Sequence, residues 1–416
     1  LESYNTMEYP KLRPIEAFSY NAPGKEGVCL RDSSNLTDMM VIVPYHVIEI
    51  IRLFDGQHSI LDIQTAYARR HGEILLREKI EGIISRLDEA MLLENERFRL
   101  FLNNLKDSFR RSNLRKAAFA GKGYESNPAK LRRQFDAFFT SDGGPGQHTG
   151  RKSEKEPKNG IKGAVLPHID FGRGGPCFAW GYREIEKYSG AKCFIVLGTS
   201  HGATDGLFTL TKKDFETPFG TLHTDKEIVT ALERDIGEKL FRDEFAHKNE
   251  HSIEFQTTFL HYLYDGRNDI SVVPILCSSF HEMLNNGTSP SSVPEVSDFV
   301  ETLKDVTKNC GREVFLLASA DLSHVGPRFG DPSPLTDQDL QEIAQEDINM
   351  INFIENIDAE GFFRNIQKDG DKRKICGLSP IYILLRTIDA SGGKLLKYEQ
   401  WPDSMGMVSF ASICFY

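Results

Sequence analysis

The stretches KGAVLPHID (residues 162–170) and KCFIVLGTSH (residues 192–201) decide the fold. Each is a short apolar run that stops at a polar cluster holding a histidine. A helical pattern over residues 178–188 lies between them, so strand, helix and strand read as a βαβ unit. Further on, ISVVPIL (270–276) and EVFLLASADLSH (313–324) repeat the strand pattern. Helical spacing covers residues 251–264 before the first of these and residues 294–308 between the two. Apolar strand runs alternating with helices predict an α/β domain on a mostly parallel sheet with helices on both faces.

Towards the N-terminus, SDGGPGQHTGRKSEKEPKNG (141–160) has no apolar periodicity and reads as a linker loop inside that domain. Ahead of it, RKAAFAGKGYESNPAKLRRQFDAFF (115–139) closes on an amphipathic helix after Pro128, with Leu131, Phe135 and Phe138 on one face. Its lysines and arginines read as a solvated face. Residues 1–110 carry a different pattern: a strand-like run at 39–43, helices over 46–54, 60–70 and 75–88, the turn Asp55-Gly56, and a wing or hairpin over 92–98. The expected domains are a winged-helix-like module over 1–110 and an α/β domain over 115–416. Within the module, LFDGQHSILDI (53–63) resembles the small peptide-binding domain of the pyrroloquinoline-quinone pathway.

A length of 416 residues exceeds the usual span of one hydrophobic core, in keeping with two domains. The formal net charge of -10 argues against a nucleic-acid backbone as partner, because binding phosphates needs a basic field. Mean hydropathy is -0.37, and no run approaches the roughly 18 apolar residues of a membrane span. The seven cysteines are scattered and never form a CxxC pair. That excludes a disulfide framework and suits a reducing compartment. No charged flank followed by an apolar run and a small-residue cleavage site opens the sequence, so a cytoplasmic location is expected.

Ligand crevices of open α/β sheets lie beyond the carboxyl ends of the strands, and three such ends carry histidine here. His168 with Asp170 follows the first strand, Ser200-His201 the second, and Asp321-Leu322-Ser323-His324 a later one. Singly, each histidine is more often a satisfied structural residue than a ligand. Together they suggest a metal crevice, since neutral imidazole is the commonest metal ligand. NEHSIEF places His251 and Glu254 three apart on one helix face, either as an acid/base or ligand-orienting pair or as a helix-start cap with a surface charge pair. In KRKICGLSPIYILL, Cys376 precedes an apolar helix and follows Lys372, Arg373 and Lys374, a setting that favours thiolate. Its alternative reading is a small buried apolar group, as for Cys177, Cys193, Cys277, Cys310 and Cys414.

LPHIDF, LGTSHG, NEHSIEFQ, SADLSHVG, KICGLSPI and the closing DSMGMVSFAS, preceded by RKAAFAGKGY, resemble in order and spacing the motifs of the Memo family (AmmeMemoRadiSam system protein B) over about residues 115–416. The resemblance implies a fold similar to the class III extradiol dioxygenases, a metal pocket at the carboxyl edge of the sheet, and a radical-SAM protein as a system partner. It assigns His168, His201 and Cys376 as metal ligands, with Asp321, His324 and His251 around the pocket. The dioxygenases complete a non-haem iron site with a carboxylate where Cys376 stands here, and a thiolate shifts preference towards softer metals. Phe119 occupies a position where some members carry histidine. Asp170 reads as a carboxylate behind the ligands or as a loop cap.

The leading expectation is a metal-dependent, oxygenase-like redox enzyme acting on a small organic or peptidyl substrate. Iron or copper would sit at His168, His201 and Cys376, a ligand set that zinc also accepts. His324 or His251 would serve as acid/base and Asp321 would orient a histidine, with Asp170, Ser200 and Glu254 lying behind the ligands or against substrate. The alternative is a non-catalytic metal-binding or peptide-binding adaptor with the same architecture. A third reading makes Cys376 a hydrolytic nucleophile with His324 as base.

Overall fold

Along Cys193–Thr199 the side chains of Cys193, Ile195 and Leu197 enter one buried cluster while Phe194 and Val196 enter another. A run with no polar position before its last residue, covered on both faces, is what places this strand at the centre of a sheet. A computed structural model describes residues 7–22, 25–147, 160–265 and 269–416. They fall into two units, Leu1–Arg111 and Ser112–Tyr416.

In the first unit, β1 (Ile15–Ala22), β2 (Lys25–Asp32) and β3 (Met40–Val43) form an antiparallel sheet in the order β1-β2-β3. The helices Tyr45–Ile51, Ile60–His71, Arg77–Glu89 and Glu96–Arg111 follow. Ser59 and Asp62 form a capping box at the start of the second, and Gly72 ends it in the left-handed region at φ 69°. The turn at Asp55-Gly56 forms as expected, with Asp55 accepting from the Gln57 and His58 amides. The wing over residues 92–98 does not form. Leu92 and Glu94 bond to Arg13 and Lys11 of the chain's opening segment, and Phe98 already lies in the helix Glu96–Arg111. Its ring stacks beneath the Arg13 guanidinium at 3.5 Å, while Arg13 pairs with buried Asp32. An apolar face that closes a helix onto a buried cation overrides the β-like local pattern.

The second unit is built on β4 (Leu114–Arg115), β5 (Gly163–Leu166), β6 (Cys193–Thr199), β7 (Phe208–Leu210), β8 (Asp214–Thr217), β9 (Gly220–Thr224), β10 (Ser271–Cys277), β11 (Val314–Ser319), β12 (His324–Val325), β13 (Gly393–Asp403) and β14 (Gly406–Phe415). Their order is β12-β14-β5-β11-β6-β10-β9-β8-β4, with β13 on β14 and β7 on β10. The central strands β5, β11, β6, β10 and β9 are mutually parallel. The flanks are antiparallel: β14 runs against β5 and pairs with β13 as a hairpin, and β8 runs against β9. The sheet is therefore mixed around a parallel centre. The α/β architecture has helices on both faces: Pro128–Thr140, Phe171–Tyr188 and His251–Leu263 on one, and Lys226–Ile236, Pro294–Asn309, Asp337–Glu355, Ala359–Gln367 and Leu378–Thr387 on the other. Most of the expected 141–160 linker lies outside the described residues. No helix among them is long and apolar enough to cross a membrane, and all seven cysteines are free.

The helix Phe171–Tyr188 begins earlier than residue 178 because Asp170 caps it by accepting from the Arg173 amide at 3.1 Å. Its glycines, which look like loop in the sequence, are contact points. A Cβ on Gly175 would lie 2.4 Å from the Phe138 ring, and one on Gly181 would lie 2.1 Å from Leu166.

Arg115, expected on a solvated face, is fully buried beside β8. Its guanidinium binds the Glu254 carboxylate and the carbonyls of His247 and Glu250, at 2.9 and 2.8 Å. Glu254 also accepts from the amides of Ala118 and Phe119 (3.0 and 2.9 Å) and from the Tyr124 hydroxyl at 2.6 Å. Removing one partner of such a pair strands the other charge in the interior. Arg115→Met is expected to destabilise the second unit by about 3–5 kcal/mol, seen as a lowered urea midpoint. An unshifted midpoint would show that Glu254 does not need its cation.

Candidate metal centre

The strands β5, β11 and β6 are neighbours in that order, so their carboxyl ends bring His168, Asp321 and His201 to one place. The helix Leu263 closes contributes His251 as its first residue. That helix is stitched to the strand ends. Ser252 donates to the Thr199 carbonyl at 2.8 Å, and Gln256 donates to the Pro167 carbonyl at 2.7 Å and to the Ser319 hydroxyl at 2.8 Å. One ligand atom each from His168, His201 and His251 lie within 4.8 Å of one another. The rings of His201 and His251 stack at 4.6 Å, and that of His168 lies 5.1 and 5.3 Å from them.

The outward partners of these imidazoles fix their tautomers. His168 Nδ1 is 3.0 Å from the Ser319 carbonyl, which can only accept, so Nδ1 carries the proton and Nε2 keeps its lone pair. His201 Nδ1 lies 3.0 Å and His251 Nδ1 3.3 Å from the same Glu250 Oε1. Glu250 also accepts from the backbone amides of His201 (2.9 Å) and Ser252 (3.0 Å). His168 and His201 are thus hydrogen-bonded through Nδ1 with Nε2 left to bind, the arrangement that orients metal-ligating histidines, while His251 is drawn to Glu250 by charge. Exposure is graded: the side chain of His168 is 2% exposed, His251 29% and His201 40%. His201 is the ring open to solvent.

Cys376 Sγ is 3.3 Å from His168 Nε2 and 3.5 Å from the Asp321 carbonyl. Asp321 is buried, accepts the amides of His168 (2.9 Å) and Ile169 (3.2 Å), and brings its second oxygen within 3.7 Å of His168 Nε2. Ligands at about 2.3 Å (sulfur) and 2.05 Å (nitrogen) around a tetrahedral ion stand ~3.5 Å apart, so the Cys376–His168 separation fits a shared cation. His324 Nδ1 faces the Leu322 carbonyl at 3.1 Å, and the Lys374 carbonyl also bonds to the ring.

Burial drives the electrostatics. It lowers His168, next to His201, and His251 to about 3 each, and lowers His324 as well. His201 is raised: burial opposes protonation, but the attraction of Glu250 and its hydrogen bond outweigh that, softened by solvent at this open ring. Glu250 stays ionised, because the pull of His201 overcomes its desolvation. Desolvation raises Asp321.

The expected thiolate at Cys376 is not supported. Burial, with Asp321 and Glu250 nearby, pushes the thiol well above its ordinary range. Its basic neighbours are committed elsewhere: Arg373 to buried Asp347 at 2.6 Å and Lys374 to Asp331 at 2.7 Å. A protonated thiol without a compensating cation removes the basis for a hydrolytic nucleophile.

Of the residues expected behind the ligands, none has a bond to the histidine rings. Asp170 caps a helix and pairs with Arg173, Ser200 donates to the Gly202 carbonyl at 3.2 Å, and Glu254 holds residues 115–124. The orienting carboxylate is Glu250, which the sequence reading passed over. The signal was an acidic residue directly before the first helical histidine. Phe119 lies beside the centre, 5.6 Å from His251 ring to ring.

Comparison with known proteins places this geometry among relatives. The family described as "Memo-like protein" matches residues 115–414. A "MEMO1 family protein" of Aquifex aeolicus is 27% identical over 410 residues, covering 97% of this chain and 100% of its own length, and so spans both units. A "MEMO1 family protein" of Caldivirga maquilingensis is 30% identical over 312 residues, 73% of this chain and 99% of its own.

The lowered histidines make stability depend on pH. His168, His251 and the buried His247, also near 3, bind protons more readily unfolded than folded. Their contribution is present above an unfolded value of about 6.5 and is lost as pH falls from there towards 3. His201, being raised, works in the opposite sense and offsets part of it. Lowering the pH from 7 to 5 is expected to remove about 1–2 kcal/mol for each of the three, read as a falling urea midpoint at pH 7, 6 and 5. A flat midpoint would show that these rings take up protons as readily in the folded chain as in the unfolded one.

Proposed function

We propose, proceeding from the fact that this chain belongs to the Memo family, that it is a metal-dependent, oxygenase-like redox protein acting on a small organic or peptidyl substrate. The observation that supports this most is the convergence of three imidazoles, two of them hydrogen-bonded through Nδ1 to a carbonyl or carboxylate and the third with its Nδ1 3.3 Å from the same carboxylate. His168 and His201 are common to the geometric trio and to the ligand set that the family resemblance implies. His251 and Cys376 are the further donors. The set of soft sulfur and imidazole suits iron or copper and also accepts zinc.

Iron or copper bound there would supply one-electron chemistry with dioxygen that no side chain can provide. The chain's own residues do the rest. Glu250 fixes His201 and His251, and Asp321 holds the turn that presents His168. Cys376 keeps its thiol proton until a cation compensates the charge, so its ligation is coupled to proton release. His324, held neutral by burial, is the imidazole beside the ligands that can exchange a proton with a substrate hydroxyl or amide.

Metal content of anaerobically purified and iron- or copper-reconstituted protein is the test. Stoichiometric metal in the wild type is expected, lost in His168→Ala and His201→Ala, with affinity lowered 10–100-fold in Glu250→Gln. His251→Ala and Cys376→Ala identify the remaining ligand. Oxygen uptake by the loaded protein would support turnover; stoichiometric metal with no oxygen consumed under any candidate substrate would leave the metal-binding adaptor. A wild type that takes up no metal would sink both.

A further inference from the structure

Residues 115–124 make a tight turn fastened to the candidate centre. Glu254 takes the amides of Ala118 and Phe119, the Tyr124 hydroxyl and the Arg115 guanidinium. The Phe119 carbonyl accepts from the Lys122 and Gly123 amides at 3.0 and 2.8 Å. Phe119 is therefore held at both its amide and its carbonyl. Its ring stands edge-on to His251 at 5.6 Å and 61°, and to Phe255 at 5.8 Å and 78°. Phe255 lies 5.4 Å from His251. Gly123 lies close to the ring, and a Cβ added there would stand 3.4 Å from Phe119 Cβ and Cδ1. Phe119 is half-buried, so part of the ring stays open beside His251.

We propose that Phe119 is a specificity-determining residue: with Phe255 it forms a fixed apolar wall beside His251 that selects ligands bearing an apolar group next to their metal-binding atom. The inference rests on the metal-binding reading given above. Among the described residues the phenyl rings that stand against His251 are Phe119 and buried Phe255, while Phe329 stands against His324 at 5.1 Å, so on the His251 side the apolar contact comes from Phe119. A hydrocarbon ring offers nothing to a charged or hydroxylated group, whereas apolar surface covered against it gains about 25 cal/mol per Å². An intimate contact with one face of a phenyl group amounts to roughly tenfold in affinity.

The test titrates cobalt(II)-loaded protein with benzoate and with acetate, which share a carboxylate and differ in the apolar group, and follows the visible d–d spectrum. Half-saturation by benzoate is expected at about one-tenth the acetate concentration in the wild type and in Phe119→Leu, which keeps the wall apolar. In Phe119→Ala the two ligands should converge. An unchanged spectrum of the ligand-free cobalt form in both variants shows that the centre itself is intact. Equal half-saturation in the wild type, or a tenfold preference that survives in Phe119→Ala, would overturn the role of Phe119 while leaving the metal site standing. Failure of the wild type to take up cobalt(II) would bring down the metal-binding reading and this inference with it.

Discussion

Glu250 is a buried carboxylate, and an ionised carboxylate out of water is tolerated only when its oxygens are fully engaged. The second unit meets that demand with two backbone amides and two imidazoles. The histidines are consequently not free to take whichever rotamer packs best. They turn Nδ1 towards Glu250, and Nε2 is left facing His168. The geometry of the centre follows from one anion that has to be solvated by the protein.

Two glutamates near the start of one helix divide the work. Glu250 caps the helix and points to the centre, and Glu254, one turn on, points to residues 115–124. Each is satisfied by a different group of donors, and Arg115 bridges them by binding the Glu254 carboxylate and the Glu250 carbonyl. The same short element therefore positions the ligands and the aromatic wall beside them. Displacing it would disturb both together, since Ser252 and Gln256 also tie it to the ends of β6, β5 and β11.

Much of this was legible in the sequence because strand ends are legible. A run of β-branched residues stopping at a histidine states both the strand and the edge at which the side chain emerges, and His168, His201, Asp321 and His324 were found that way. Glu250 was not, because helical spacing pairs His251 with Glu254. The capping residue is outside the helix, where its extended backbone (φ -87°, ψ 126°) turns the side chain inwards. The thiolate at Cys376 was misjudged because local sequence counts Arg373 and Lys374 as neighbours, while their charges are absorbed by Asp347 and Asp331, more than 20 residues distant in the chain. The antiparallel flank escaped notice for a related reason: ten consecutive buried residues in β14 show no alternation that would mark a hairpin.

Apart from His201 and Glu250, which hold each other charged, the shifts at the centre share a sign in chemical terms. His168, His251 and His324 are driven towards the neutral base, and Asp321 and Cys376 towards the neutral acid. Burial explains each one, because it penalises whichever form is charged. The consequence for a cation differs between the two groups. His168 and His251 are already in the form that ligates and bind without giving up a proton, whereas Cys376 must release one, as must His201 while Glu250 keeps it protonated. Ligation by nitrogen alone would leave metal affinity independent of pH once His201 has lost its proton, but ligation that includes sulfur makes it go on rising with pH. The proton count of binding thereby separates a three-histidine centre from one completed by Cys376, without reference to any reaction the centre performs.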